Sequence, residues 1–193
     1  LIENLRRLGE DAPQPAVRLL VNEQLDPKDV EAMEATDDYA RLAEKLLKQL
    51  KTPRAALERN RLAMLAWLVA QGWVEVRVGL MRSGHGIVHA KFGVITDPQG
   101  DRLAFSGSDN ETGQAIVENY ERAELRASWL DAEFVDEYAN EFDTLWQDRD
   151  LYVRAVPLPE AVREKLISYA PGEPPSERMF DRKAAAAAML WNY

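Results

Sequence analysis

The residues best suited to chemistry in this sequence are a histidine, a lysine and several hydroxyl and amide side chains in the middle of the chain. His89 and Lys91 are two positions apart, so on an extended strand their side chains point to the same face. Ser106 and Ser108 share a face in the same way, and Asn110 follows close behind. An imidazole, an ammonium, hydroxyls and an amide together are suited to bind and attack a phosphate.

The predicted order of elements explains how these residues could meet. Residues 87–96 are rich in β-branched and apolar residues and predict a strand, 97–101 predict a tight turn, and 102–108 predict a second strand. A helix is predicted over 112–117, and 121–129 predict a further strand. The hairpin would gather the imidazole, the ammonium, a hydroxyl and the amide in one small place.

The spacing of these residues resembles the signature of a known family. A histidine and a lysine separated by one residue, followed by Gly-Ser-x-Asn, are similar to the HxK…GSxN signature of the phospholipase D superfamily. Its bacterial nucleases also place an Asn-x-Glu step on the next strand, and Asn119-Tyr120-Glu121 lies at the matching distance. The resemblance implies an α/β fold with a phospholipase D-like mixed β-sheet flanked by helices on both faces. Such domains open with a strand before the first helix, and we expect this sequence to lack that strand.

The resemblance also implies a role for each matching residue. His89 would be the nucleophile that forms a phosphohistidine. The phosphate oxygens would be bound by Lys91, Ser108 and Asn110. Glu121 would accept a hydrogen bond from the far nitrogen of His89 and so fix its tautomer. The motif occurs once, whereas the family uses two histidines, so we expect a homodimer through this face, or a partner subunit. No divalent metal or other cofactor is then needed.

One part of the signature departs from the family pattern. The aspartate that usually follows the lysine after four intervening residues is replaced by Thr96, and Asp97 comes one residue later. A shift of one residue on a strand turns a side chain to the opposite face. We therefore expect Asp97 to be a turn residue, with Glu111 as a further candidate for the missing carboxylate. The displaced aspartate leaves open whether the domain is active or persists as a binding module.

A metal site is the alternative for the two histidines. His85 and His89 have the i, i+4 spacing of a helical zinc pair, but the residues between them favour an extended chain. On a strand these side chains lie about 13 Å apart, too far to share an ion. The sequence has no cysteine, which excludes a cysteine-based zinc site and a disulfide framework. We therefore predict no metal, and we expect His85 to be a loop residue that could line the pocket.

Length and composition set the broad class. The chain has 193 residues, 46% hydrophobic and 30% charged, which is enough for one compact domain with a real core. Neither a signal peptide nor an apolar run long enough to span a bilayer is recognisable, so a cytoplasmic protein is predicted. We assign residues 1–156 to the phospholipase D-like domain and 157–193 to a helical linker toward a following domain. No Walker A sequence is present, so any ATPase would lie beyond residue 193.

Charge is unevenly distributed along the chain. The net charge of −9 argues against a uniformly basic surface for nucleic acid, and residues 118–150 are strongly acidic. Between residues 41 and 61, however, seven lysines and arginines stand against two glutamates. Helices are predicted here, and the basic residues that we select as DNA contacts are Lys45, Lys48, Lys51 and Arg54. The alternative is an ordinary solvated helix face.

These observations favour a metal-independent nuclease domain that acts on DNA. The stretch FSGSDNET, a strand ending in Trp129 and a long acidic helix are similar to phospholipase D-like domains fused to bacterial superfamily 2 helicases in restriction and anti-phage systems. A second hypothesis is a catalytically silent module that positions DNA or a partner subunit. A third is a hydrolase of phospholipids or other small phosphodiesters, although no membrane-binding apolar patch is visible in the sequence.

Overall fold

The fold is seen in a computed structural model, which describes residues 15–36, 38–97, 99–107 and 123–175. In chain order the elements are β1 (Val17–Asn22), α1 (Pro27–Thr36), α2 (Ala40–Gln49), α3 (Ala56–Ala70), β2 (Val74–Met81), β3 (Phe92–Thr96), β4 (Arg102–Gly107), β5 (Ala123–Ala127), α4 (Ala132–Trp146), β6 (Val153–Pro157) and α5 (Glu160–Ile167). The predicted α/β class is confirmed. The strands lie in two three-stranded sheets, with orders β1-β2-β6 and β3-β4-β5. No helix in the described ranges has both the length and the apolar character to cross a bilayer.

Local sequence accounts for the ends of the two longest helices. After α3, Gly72 has a φ of +75°, a left-handed conformation that glycine adopts without steric cost and that often ends a helix. α4 begins after Asp131, whose carboxylate accepts the N–H of Phe134 at 3.3 Å. This bond satisfies one of the backbone donors that every helix leaves free at its N-terminus.

The chain divides into two compact units. The first contains most of β1, the first half of β2, and the helices α1, α2, α3 and α5. One core cluster of this unit joins α3, β2 and α5 and consists of Ala66, Leu68, Val69, Val74 and Leu166. Beside it the rings of Trp67 and Trp73 meet edge to face, with centroids 5.4 Å apart. The apolar face of α3 is therefore used for packing.

The second unit contains the end of β2, the β3-β4-β5 sheet, α4 and most of β6. β3, β4 and β5 are antiparallel neighbours. Phe92, Ser106 and Glu124 are paired across the three strands, and Gly93, Phe105 and Leu125 form the next row. Because paired residues project to the same side of a sheet, these two rows point to opposite faces.

α4 covers the face that carries Phe92 and Ser106. The ring of Phe92 contacts those of Tyr138 and Phe142, with centroids 5.4 and 6.4 Å apart. Val135 of α4 and Ala104 of β4 are fully buried. This packing brings one side of α4 against the end of the sheet where the predicted site residues lie.

Candidate functional site

A cavity of about 660 Å³ opens within the second unit, beside the ends of β3 and β4. Its volume falls within the range of roughly 300 to 1,000 Å³ that is typical of ligand pockets. The lining residues come from the segment before β3, from β4 and β5, and from α4: His89, Ala90, Lys91, Phe92, Ser106, Gly107, Glu124, Tyr138 and Glu141. The cavity therefore gathers an imidazole, an ammonium, two hydroxyls and two carboxylates.

His89 and Lys91 are in contact with each other. They lie in the irregular segment immediately before β3, so the prediction that the strand covers residues 87–96 is wrong for its first half. Backbone pairing with β4 nevertheless extends to Lys91, one residue before the start of β3, because the Gly107 N–H donates to the Lys91 carbonyl at 3.0 Å. Lys91 Nζ lies 3.3 Å from His89 Nε2. An ammonium can only donate, so this contact is a hydrogen bond when Nε2 carries no proton.

The segment that leads to His89 is anchored at its start by Arg82. The Arg82 guanidinium donates to the Asp148 carboxylate at 2.7 Å and to the carbonyl of Asp150 at 3.1 Å. Further along, Gly86 has a φ of +83°, which a residue with a Cβ adopts only at a cost. The end of β2 is thus tied to the loop after α4, and a glycine then allows the chain to turn toward the cavity.

Ser106 makes a polar contact with α4. The Tyr138 hydroxyl donates to Ser106 Oγ at 3.3 Å, and both residues are half-buried. The Tyr138 ring meets the edge of Phe92 and stacks on Phe134, with a centroid separation of 4.6 Å in the stack. No motif in the sequence identifies Tyr138 as a site residue. Its spacing of four residues from Phe134 predicts only that it lies on the helix face that packs against the sheet.

Two carboxylates in the cavity were also not predicted. Glu124 on β5 is paired with Arg126, whose Nε lies 3.1 Å from it; the pKa of Arg126 is raised mainly by this hydrogen bond. Glu141 on α4 is exposed, but partial desolvation raises the pKa of its carboxyl above the ordinary value of 4.5. The negative charges of Glu137 and Asp150 add to this shift. A negatively charged ligand would therefore meet both attraction and repulsion in this cavity.

Four of the predicted site residues lie outside the described residues: Ser108, Asn110, Glu111 and Glu121. Gly107, which lines the cavity, is the last residue described before them. Their assignment to the site stays a prediction.

Three other residues named from the sequence do not line the cavity. Asp97 lies in the turn after β3, as predicted, and its carboxylate accepts the N–H groups of Gln99 and Asp101, both at 2.9 Å. Thr96, which occupies the aspartate position of the signature, is the exposed last residue of β3. His85 is exposed in the loop after β2. Within the described part of the chain, no group of three or more histidines, cysteines, aspartates and glutamates could hold a metal ion.

The basic residues selected as DNA contacts lie in the first unit. Lys45 and Lys48 are on α2, while Lys51 and Arg54 lie between α2 and α3. All but the half-buried Lys45 are exposed. Lys48 Nζ is 2.7 Å from the carboxylate of Glu44, and this hydrogen bond lowers the pKa of Glu44. Part of the positive charge is thus balanced on the helix itself, and DNA binding by this group stays a prediction.

A family comparison identifies the domain. The family model described as cardiolipin synthase, PLD-like domain, matches residues 14–146, which is more than half of the chain. The chain belongs to this phospholipase D-like family. The match runs from β1 to the end of α4 and includes every residue that lines the cavity. No curated protein and no solved structure has a significant match to the chain.

Membership of this family connects the chain with phosphodiester chemistry in general. The described side chains are compatible with that chemistry. His89 can supply an imidazole nitrogen as a nucleophile, Lys91 supplies a positive charge beside it, and the hydroxyls can donate to phosphate oxygens.

Proposed function

We propose that this phospholipase D-like domain is a metal-independent phosphodiesterase that acts on DNA. The observation that carries the proposal is the 3.3 Å contact between Lys91 Nζ and His89 Nε2 at the edge of a cavity of ligand size. An imidazole with an unprotonated Nε2 is a nucleophile, and an adjacent ammonium can take up the charge that develops on a phosphate. These two roles match those that the HxK signature implies.

In the proposed reaction, Nε2 of His89 attacks phosphorus and the bond from phosphorus to the leaving oxygen breaks. The ammonium of Lys91 moves its hydrogen bond from Nε2 to a non-bridging oxygen, which releases the lone pair for attack. Ser108 and Asn110 donate to the other oxygens, and Glu121 accepts from Nδ1–H. The proton for the leaving oxygen comes from the second copy of His89 in a homodimer. The second His89, which has lost its proton, then takes one from water as the water oxygen attacks phosphorus; the phosphorus–nitrogen bond breaks and both imidazoles are restored.

DNA is the substrate that the charge distribution favours. Seven basic residues against two acidic ones between residues 41 and 61 offer an electrostatic contact for a polyanion. Lys51 and Arg54 are exposed there. Binding through these residues is expected to weaken steeply with salt, and a flat salt response would contradict their role.

The wider setting that we propose is a helicase-containing defence protein in the cytoplasm. It is supported by the likeness of residues 105–112, FSGSDNET, and of the long acidic helix to phospholipase D-like domains fused to superfamily 2 helicases. In that setting the motor would deliver DNA to the cavity.

A cleavage assay with EDTA tests the proposal. The wild-type chain should cut DNA in the presence of EDTA, and His89→Ala should lower the rate at least about a thousandfold, because the nucleophile is lost. His85→Ala is the matched control, since His85 is exposed and does not line the cavity. Its rate should stay close to that of the wild type. Cleavage that needs a divalent metal, or that survives His89→Ala, would contradict the proposal.

A catalytically silent module is the second candidate function. It is favoured by Thr96 at the aspartate position of the signature and by Asp97, whose carboxylate is engaged within the turn. DNA binding that survives His89→Ala, with no cleavage under any condition, would select this alternative. Because the matched family is described by a cardiolipin synthase, the substrate panel should include an anionic phospholipid beside DNA and RNA.

A further inference from the structure

Tyr138 and Ser106 form a hydroxyl pair in the cavity wall that the phosphohistidine mechanism does not use. Their oxygens are 3.3 Å apart, and both residues line the cavity together with His89 and Lys91. Both are half-buried, so they can be reached from the cavity but are partly shielded from bulk water. A hydrogen bond to an anion is stronger in such a place than in open solvent.

The pair keeps one O–H donor for a ligand. Two hydroxyls carry two hydrogens, and the bond between them uses one, whichever residue donates. Within the described part of the chain, this bond is the one side-chain hydrogen bond that either residue makes. Among the described residues nothing else takes the second hydrogen, so they leave it available to a group in the cavity.

Packing and strand pairing hold the pair in place. Phe134 stacks on the Tyr138 ring, and Phe92 meets its edge. Ser106 is paired with Phe92 on β3, and the next residue of β4 donates its N–H to the Lys91 carbonyl at 3.0 Å. Successive backbone pairings thus connect Ser106 with the main chain of Lys91, so the hydroxyl pair and the residue that carries the ammonium lie on neighbouring paired positions.

We infer that the Tyr138–Ser106 pair is an additional phosphate-binding subsite, which donates one hydrogen bond to a non-bridging oxygen of an anion held by Lys91. An ammonium is a compact charge with little directional preference, so a directional donor beside Lys91 helps to orient the phosphate. In the proposed mechanism this donor would add to those of Ser108 and Asn110 in aligning phosphorus with His89 Nε2. The alignment role rests on the proposed function, whereas binding of the anion does not.

Isothermal titration calorimetry of the full chain with inorganic phosphate tests the inference. Replacing both residues, Tyr138→Phe together with Ser106→Ala, should weaken phosphate binding roughly tenfold, the cost of one hydrogen bond to a charged acceptor. Each single variant keeps one hydroxyl that can still donate, although no partner orients it, and should lose less affinity than the double variant. Ser106→Thr keeps a hydroxyl and should restore binding.

Tyr152→Phe is the matched control, because Tyr152 is 71% exposed and lies outside the cavity lining. It should bind phosphate like the wild type. Tyr138→Phe keeps the aromatic ring, so thermal unfolding should show an unchanged fold. A wild-type chain that binds no phosphate, a double variant of unchanged affinity, or a Ser106→Thr variant that binds more weakly than the wild type would each overturn the inference.

Cleavage of DNA, measured separately, distinguishes this inference from the proposed function. Phosphate binding that is weakened in the double variant, in a chain that cuts no DNA, keeps the subsite and contradicts the nuclease. DNA cleavage that is equal in the wild type and the double variant, with equal phosphate affinity, contradicts the subsite and keeps the nuclease.

Discussion

The two faces of the β3-β4-β5 sheet differ in how they are packed. On the face covered by α4, Ala104 is 0% exposed and Phe92 packs against two aromatic rings of the helix. On the opposite face, Ile95 is 60% exposed and Leu125 is 66% exposed. The face covered by α4 also carries the polar residues Ser106 and Glu124. The open face, in contrast, carries large apolar side chains.

This difference shows why the cavity forms where it does. Ser106 and Glu124 lie in the row that points toward α4, at the end where Lys91 pairs with Gly107. The helix supplies Tyr138 to this end, and its hydroxyl finds a partner on the sheet. Polar groups are tolerated on a covered face when they are hydrogen-bonded or reach solvent, and a cavity at the end of the sheet meets both conditions.

The largest expected effect in this comparison comes from a matched pair of phenylalanines. Phe92→Ala should lower the free energy of unfolding by about 2–3 kcal/mol, because a half-buried ring loses its contacts with α4. Phe105→Ala should cost about 1 kcal/mol, because this ring is already 39% exposed. Urea unfolding of both variants measures the difference. An equal or larger cost for Phe105→Ala would show that the open face is not open in solution.

A glycine on the open face provides a sharper test. A Cβ on Gly93 would lie 2.6 Å from the end of the Phe105 ring, so Gly93→Ala must push that ring away. We expect Gly93→Ala alone to cost about 0.5–1 kcal/mol through lost ring contacts. In a Phe105→Ala background the same substitution should stabilise by about 0.5 kcal/mol, since alanine is better than glycine within a strand. Urea unfolding of the four variants of a double-mutant cycle measures the effect of Gly93→Ala on the free energy of unfolding in each background. An effect of the same sign in both backgrounds would refute the close contact.

The smallest effect concerns Glu141 at the cavity end of the covered face. Its raised pKa means that ionisation is less favourable in the folded chain than in the unfolded one. The contribution of Glu141 to stability should therefore fall as the pH rises from 4.5, the ordinary value, through the raised value. Glu141→Gln should raise the melting temperature at neutral pH by about 1 °C. At a pH below 4.5, the ordinary pKa of a glutamate, it should have no such effect.

Asn140→Gln, at an exposed position without a titrating group, is the control for this pH dependence. It should shift the melting temperature equally at both pH values. A Glu141→Gln variant that is less stable than the wild type at neutral pH would contradict the unfavourable charge.

The sequence alone predicts much of this unit, for physical reasons that can be named. Strand alternation predicted that His89 and Lys91 share a face, and their side chains do touch, although both precede β3. The shift of one residue from Thr96 to Asp97 predicted a turn residue, and two backbone N–H groups bind its carboxylate. Both predictions depend on neighbours within a few positions of the chain.

The remaining parts of the cavity depend on contacts between distant residues. Glu124 lies beside Ser106 only because β4 and β5 pair in one particular register. Tyr138 reaches Ser106 across 32 positions of sequence only because α4 packs on this face of the sheet. No periodicity in the sequence encodes either register or docking, so both residues could be recognised only in the folded chain.

The central claim is that His89 forms a covalent bond to the phosphate of the substrate. Incubating the chain with DNA labelled at every phosphate, quenching in base and separating the protein under denaturing conditions tests this directly. A phosphohistidine intermediate would give a labelled protein whose label is stable in base and lost in acid. The label should appear in the wild type and in His85→Ala but not in His89→Ala. DNA cleavage without a labelled protein, or equal labelling of His89→Ala, would contradict it.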